Sequence, residues 1–110
     1  MPETPTLGEF EHLVLIALLR LGDDAYGATV RHEIEHRTGR RVSISAVYTT
    51  LERLEQKRLV QSWIGEPTAQ RGGRRRRHFG LQPTGARALK LAHRAYRGMI
   101  AGLERELKAL

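Results

Sequence analysis

The stretch Ser43–Lys57, SISAVYTTLERLEQK, constrains the fold more than any other part of the chain. Wound as a helix at about 100° per residue, it gathers Ile44, Val47, Leu51 and Leu54 into one apolar stripe. The other side carries Ser45, Ala46, Thr49, Arg53 and Gln56, small or polar and without bulk before Arg53. Ser43 is suited to cap the helix, its hydroxyl oxygen accepting from a free first-turn amide. One face therefore belongs to a core, and the other is slim enough to enter a groove. An amphipathic helix alone is as readily plain surface, so its neighbours have to decide its role.

Size and charge narrow the choice. A chain of 110 residues reads as one domain, with too little material for a deep catalytic cleft. Nineteen Lys and Arg against twelve Asp and Glu leave a net charge of +7, which points to an acidic partner. Without cysteine, the sequence offers no disulfide framework, thiol nucleophile or Cys-based zinc finger, and it suits a reducing cytoplasm. No targeting or membrane segment is expected: the apolar run from Leu13 to Leu19 follows acidic residues and stops at Arg20, well short of the roughly 20 residues a span requires.

Ahead of Ser43 two helices are expected. Residues 1–6 form a flexible tail with two prolines. Thr6 and Glu9 have the spacing of a capping box, and apolar residues then follow the helical period to Gly22. This first helix is apolar nearly all round, so it needs a second partner, and Leu15 and Leu19 are expected to meet another subunit. Asp24 suits the cap of a second helix over about residues 25–38, which buries Tyr26, Val30 and Ile34 and closes at Gly39.

That second helix contains His32-Glu33-Ile34-Glu35-His36, which matches the H-E-x-x-H pattern of zinc proteases. Zinc hydrolysis would need both imidazoles on the metal, Glu33 as general base and a third ligand. Val42 stands where the extended form of the motif requires its third histidine, and both histidines project opposite to Val30 and Ile34. The pair is read as solvated surface able to pick up metal adventitiously, and no metal or cofactor site is assigned.

Beyond Lys57 the period changes. Residues 59–64 and about 75–81 are β-prone, with Phe79 and Leu81 facing inward and a turn around Gly72-Gly73 between them. Arg71, Arg74, Arg75, Arg76 and Arg77 put five basic residues into seven positions at the tip and return strand of this wing. Arg40 and Arg41 precede the Ser43 helix, where they would lie near phosphates. From about Pro83 to Leu110 one long helix is expected, with Leu89, Ala92, Tyr96, Met99, Leu103, Leu107 and Leu110 at three- and four-residue steps. A single small subunit leaves nothing to cover that stripe, and a two-fold dimer accounts for it.

Taken together, the chain resembles the PadR family of bacterial transcriptional regulators, in the short form with one C-terminal helix. The resemblance rests on residues 13–19, Ala25-Tyr26-Gly27, Ile34, Ser45-Ala46-Val47-Tyr48 continuing to Leu51-Glu52-Arg53-Leu54, Leu59-Val60, Gly72-Gly73-Arg74, and Leu81 before Pro83 and Gly85. It implies a mainly α fold with a small β-wing: a winged helix-turn-helix over residues 7–82 and a C-terminal dimerisation helix over 83–110. It also implies a homodimer on double-stranded DNA that represses a nearby promoter. Recognition falls by this resemblance on Ser45, Ala46, Tyr48, Thr49 and Arg53, with Ser43 at the helix start, and the wing contact falls on the Arg74 cluster. Some members bind small aromatic compounds at the dimer centre, and Tyr96 is the residue here that could stack on such an effector. Three departures stand out: Arg58 occupies a position where glycine is common, Gln82 replaces a Ser or Thr cap, and Gly80 weakens a strand. A sequence-neutral nucleic-acid-binding protein and an HEIEH metalloenzyme are the rival classes.

Overall fold

A computed structural model describes residues 6–66 and 75–110. Its elements in order are α1 (Glu9–Leu21), a 3-10 turn (Gly22–Asp24), α2 (Gly27–Thr38), α3 (Ile44–Gln56), β1 (Val60–Ile64), β2 (Arg77–Leu81), α4 (Pro83–Ile100) and α5 (Glu104–Ala109). The fold is mainly helical with a two-stranded antiparallel wing and a long C-terminal helix. Among the described residues, no helix is long and apolar enough to cross a membrane.

The helices start differently from the sequence expectation. Gly8, not Thr6, caps α1, and its amide donates to Glu11 Oε1 at 2.9 Å. Asp24 lies in the 3-10 turn, so α2 begins two residues late behind Tyr26; the Tyr26 amide donates to Thr29 Oγ1 at 3.0 Å, and that hydroxyl donates onward to the Asp24 carbonyl at 2.6 Å. Ser43 does cap α3, accepting from the Ala46 amide at 3.1 Å.

Val47, Leu51 and Leu54 are fully buried, as their spacing predicts, and they meet Val14, Leu15, Val30 and Phe79 in one core. Ile44, at the open end of α3, is 38% exposed, and Thr50 is buried instead. Leu15 at 0% and Leu89 at 9% exposure lie in the subunit's own core, so neither has surface to give a dimer interface. Leu15 turns inward because α1 packs on α2, α3, α4 and β2 at once.

Strand register pairs Val60 with Leu81 and Trp63 with His78. The Phe79 amide donates to the Ala25 carbonyl at 2.9 Å and Tyr26 bridges His78, so the segment before α2 lies along β2 like a short third strand. Trp63 is 40% exposed. It stacks on His78 with ring centroids 5.7 Å apart and covers Gly80.

The turn after α3 fixes the remaining elements. Arg58 and Leu59 amides donate back to the Glu55 and Leu54 carbonyls at 2.9 and 3.0 Å, closing the helix in a Schellman turn. This places Arg58 at φ 61, the left-handed region that glycine occupies without strain. The Leu59 carbonyl accepts from the Gln82 amide at 2.9 Å, and Gly85 passes so close that a Cβ there would sit 2.0 Å from the same oxygen. Gln82 caps α4 without a side-chain bond, while Thr84 Oγ1 donates to the Arg58 carbonyl at 2.5 Å. The C-terminal helix does not run unbroken to Leu110: it ends at Ile100, Gly102 adopts φ +87, and α5 follows.

Across the molecule, Lys57 Nζ donates to Glu11 Oε2 at 2.7 Å. Burial pushes the Glu11 carboxyl up, but hydrogen bonds from Lys57 and Gly8 and the fields of Lys57 and Arg53 outweigh it and hold the group below its ordinary 4.5.

Two stability outcomes are expected. Arg58→Gly should stabilise the fold by about 1 kcal/mol in urea unfolding, because the left-handed strain is removed and the Schellman bonds stay. Glu11 ionises more readily folded than unfolded, so its contribution is complete above about pH 4.5 and is lost as the pH falls through its lower folded value. Glu11→Gln should therefore flatten the acid limb of a stability-versus-pH curve measured by urea unfolding.

Candidate nucleic-acid interface

The N-terminal half of α3 presents a narrow polar surface. Ser43, Ser45, Ala46 and Thr49 are exposed, and no large side chain stands among them. Tyr48 flanks this face at 37% exposure and lies back over the start of α2. Its ring fits there only because residue 27 is glycine: a Cβ at Gly27 would fall 2.4 Å from Tyr48 Cζ. Gly27 and Tyr48 thus keep the face slim and set α2 against α3. The connection between those helices is fixed by the Val42 amide, which donates to Glu35 Oε2 at 2.8 Å.

At the far end of α3, Arg53 is exposed, and it also lies near enough to Glu11 for its charge to act on that carboxylate. The guanidinium can therefore swing outward only against a weak pull from the core side. Glu52, exposed beside it, pairs with Arg77 NH1 at 3.7 Å.

The arginines separate into two groups. Arg77 sends NH2 to Glu55 Oε1 and lies over the Phe79 ring at 4.9 Å, while Ser62 Oγ donates to Glu55 Oε2 at 2.6 Å. This cluster clamps the base of the wing to α3, so Arg77, though partly exposed, also acts within the fold. Arg40 is similarly engaged, with NH1 2.6 Å from Glu9 Oε1. Arg76 lies over Tyr26 at 4.5 Å and donates to its hydroxyl at 3.0 Å, yet it remains exposed. Arg41 and Arg75 are exposed and make no ion pair among the described residues. Arg71 and Arg74, assigned to the wing tip, lie outside the described residues.

Glu55 and the Gly27–Tyr48 fit were not singled out from the sequence. Glu55 reads there as one more solvated residue of α3, and only the strand register that brings Ser62 and Arg77 over it reveals its place. His32 and His36 are exposed on α2 with parallel rings 5.9 Å apart. Glu33 is engaged by Arg37 Nε at 2.8 Å, and no group of three metal-ligating side chains occurs among the described residues.

The description "Transcriptional regulator PadR-like family" belongs to the family model that matches residues 15–91, well over half of the sequence. The chain belongs to this family. Such proteins regulate genes by binding DNA and are not enzymes, which removes the metalloenzyme class. Solved structures agree on the fold. A PadR family regulator from Clostridium difficile R20291 aligns with TM-score 0.74 at 23% identity, over 91% of this chain and 99% of that one. A PadR-like regulator from Bacillus cereus ATCC 14579 aligns with TM-score 0.69 at 18% identity, over 89% of each. One from Eggerthella lenta DSM 2243 aligns with TM-score 0.64 at 21% identity, over 93% and 88%. No curated protein sequence matches the chain.

In this PadR-like chain, Gly27→Ala should move Tyr48 into the polar face. The expected result is loss of DNA binding together with about 1 to 3 kcal/mol of stability from overpacking, read by gel shift and urea unfolding.

Proposed function

We propose that the protein is a sequence-specific repressor that binds a promoter-proximal operator as a homodimer in the cytoplasm. The observation that carries this reading is the slim, capped first half of α3, with Ser45, Ala46, Tyr48 and Thr49 at its outer side and exposed arginines at both flanks. A helix of that shape enters a major groove, where hydroxyls and guanidinium groups meet base edges. In this reading Ser45, Thr49 and Arg53 read bases, while Arg41, Arg75 and Arg76 neutralise phosphates.

Dimerisation is supported by apolar surface that the subunit leaves uncovered. Tyr96, Met99, Leu103 and Leu107 are exposed along α4 and α5, with Leu19 at 65% on α1, and Ala92 lies beside them. A two-fold pairing of these surfaces would offer two copies of α3 to half-sites about 34 Å apart. The same reading assigns a small-molecule effector contact to Tyr96, which lines a groove of about 800 Å³ between α1 and α4.

Arg53→Ala should weaken binding to the operator by about 1 to 3 kcal/mol and leave random duplex nearly unaffected. Replacing Arg75 and Arg76 by Ala should weaken both duplexes alike and flatten the salt dependence. Fluorescence anisotropy titrations over a salt series read both. Equal losses on operator and random DNA for Arg53→Ala would instead favour a sequence-neutral nucleic-acid-binding protein.

A further inference from the structure

Helix α1 turns its two adjacent polar residues in different directions. Glu11 faces α3, while His12 faces α4 across the groove, with its ring 6.4 Å from Tyr96. His12 Nε2 is closed off from solvent and has no hydrogen-bond partner among the described residues. A neutral imidazole tolerates that position, whereas an imidazolium would be a cation without an acceptor.

The charged groups around the groove offer no relief. From α4 it is lined by His93 and Arg97, and from the segment after α2 by Arg40. Tyr96 is the remaining ionisable group that α4 contributes to the lining. Among the described residues Glu9 is the one carboxylate in the lining, and it is taken by Arg40 at 2.6 Å. Glu11 is bonded to Lys57 and to the Gly8 amide. Acidification therefore adds charge at His12 to a lining that already holds two arginines.

We infer that His12 makes the α1–α4 seam acid-labile, so that protonating it parts the two helices and releases a second copy of the chain from the surface they form together. This rests on the dimer reading above, since the groove is continuous with the exposed side of α4 at Tyr96. Burial, and after it the charge of His93, lowers the His12 pKa below its ordinary 6.5. The neutral form is therefore favoured in the closed seam. The seam's stability is complete above about pH 6.5 and falls as the pH drops through the lower folded value.

The test is sedimentation velocity on the full chain without DNA at about pH 7.5 and about pH 5.5, with far-UV circular dichroism at both. The expected result is a folded chain whose dimer dissociation constant rises roughly tenfold or more at the lower pH. His12→Phe should remove most of this rise. His93 is exposed, so His93→Gln leaves the core alone and should shrink the rise as well. A wild-type dimer equally tight at both pH values, or unfolding at about pH 5.5, overturns the switch and leaves the dimer reading standing. So does a His93→Gln protein that shifts as much as the wild type. A monomer at both pH values overturns the dimer reading itself, and the switch with it.

Discussion

Three residues after α3, Lys57, Arg58 and Leu59, hold the positions of nearly every other element. Lys57 reaches Glu11 and ties the end of α3 to the start of α1. Arg58 takes the left-handed turn that frees the chain to begin β1, and its carbonyl receives the Thr84 hydroxyl. The Leu59 carbonyl receives the Gln82 amide, and Gly85 crosses directly over it. Helix α3, the wing and the C-terminal helix thus share one turn. The strain at Arg58 is on the order of 1 kcal/mol, which the buried Leu59 and its hydrogen-bonded carbonyl readily offset.

The same turn explains how a strongly basic chain keeps its charge organised. Its positive residues are not equivalent: Lys57, Arg77 and Arg40 each have a carboxylate of the fold at 2.7 Å or less, while Arg41 and Arg75 remain outward. The Glu55–Arg77–Ser62 cluster decides where the wing stands relative to α3. A wing set by an ion pair at its base can present arginines further along without each needing its own partner. Net charge alone would not distinguish these roles, because solvated and internally paired guanidinium groups count alike.

Much of this architecture was legible in the sequence because burial and helical period agree. Val47, Leu51 and Leu54 recur on one face of α3 and are buried together, Ser43 caps as its type and position imply, and the change to β-prone residues after Leu59 marks the wing. What stayed hidden depends on contacts distant in sequence. Leu15 looked available to a partner because α1 is apolar all round, yet its own core takes it. Arg77 looked like one of five equal wing arginines until strand register placed it over Glu55. The long apolar stripe of the C-terminal segment masked the break at Gly102, since spacing survives a turn that backbone direction does not. At the site, the polar face of α3 was readable, but the steric reason it stays slim, Gly27 beneath Tyr48, was not.

Helix α1 joins these features into one mechanical path. One face carries Glu11, whose carboxylate binds the end of α3, and the next residue, His12, faces the groove against α4. Anything that shifts α4 against α1 acts on a helix that is also bonded to α3. Because close-packed interiors are poorly compressible, α1 holds its contacts with α3 and with α4 in a fixed relation across its width of about 10 Å. The ion pair at Glu11 is the point at which α1 grips the end of α3.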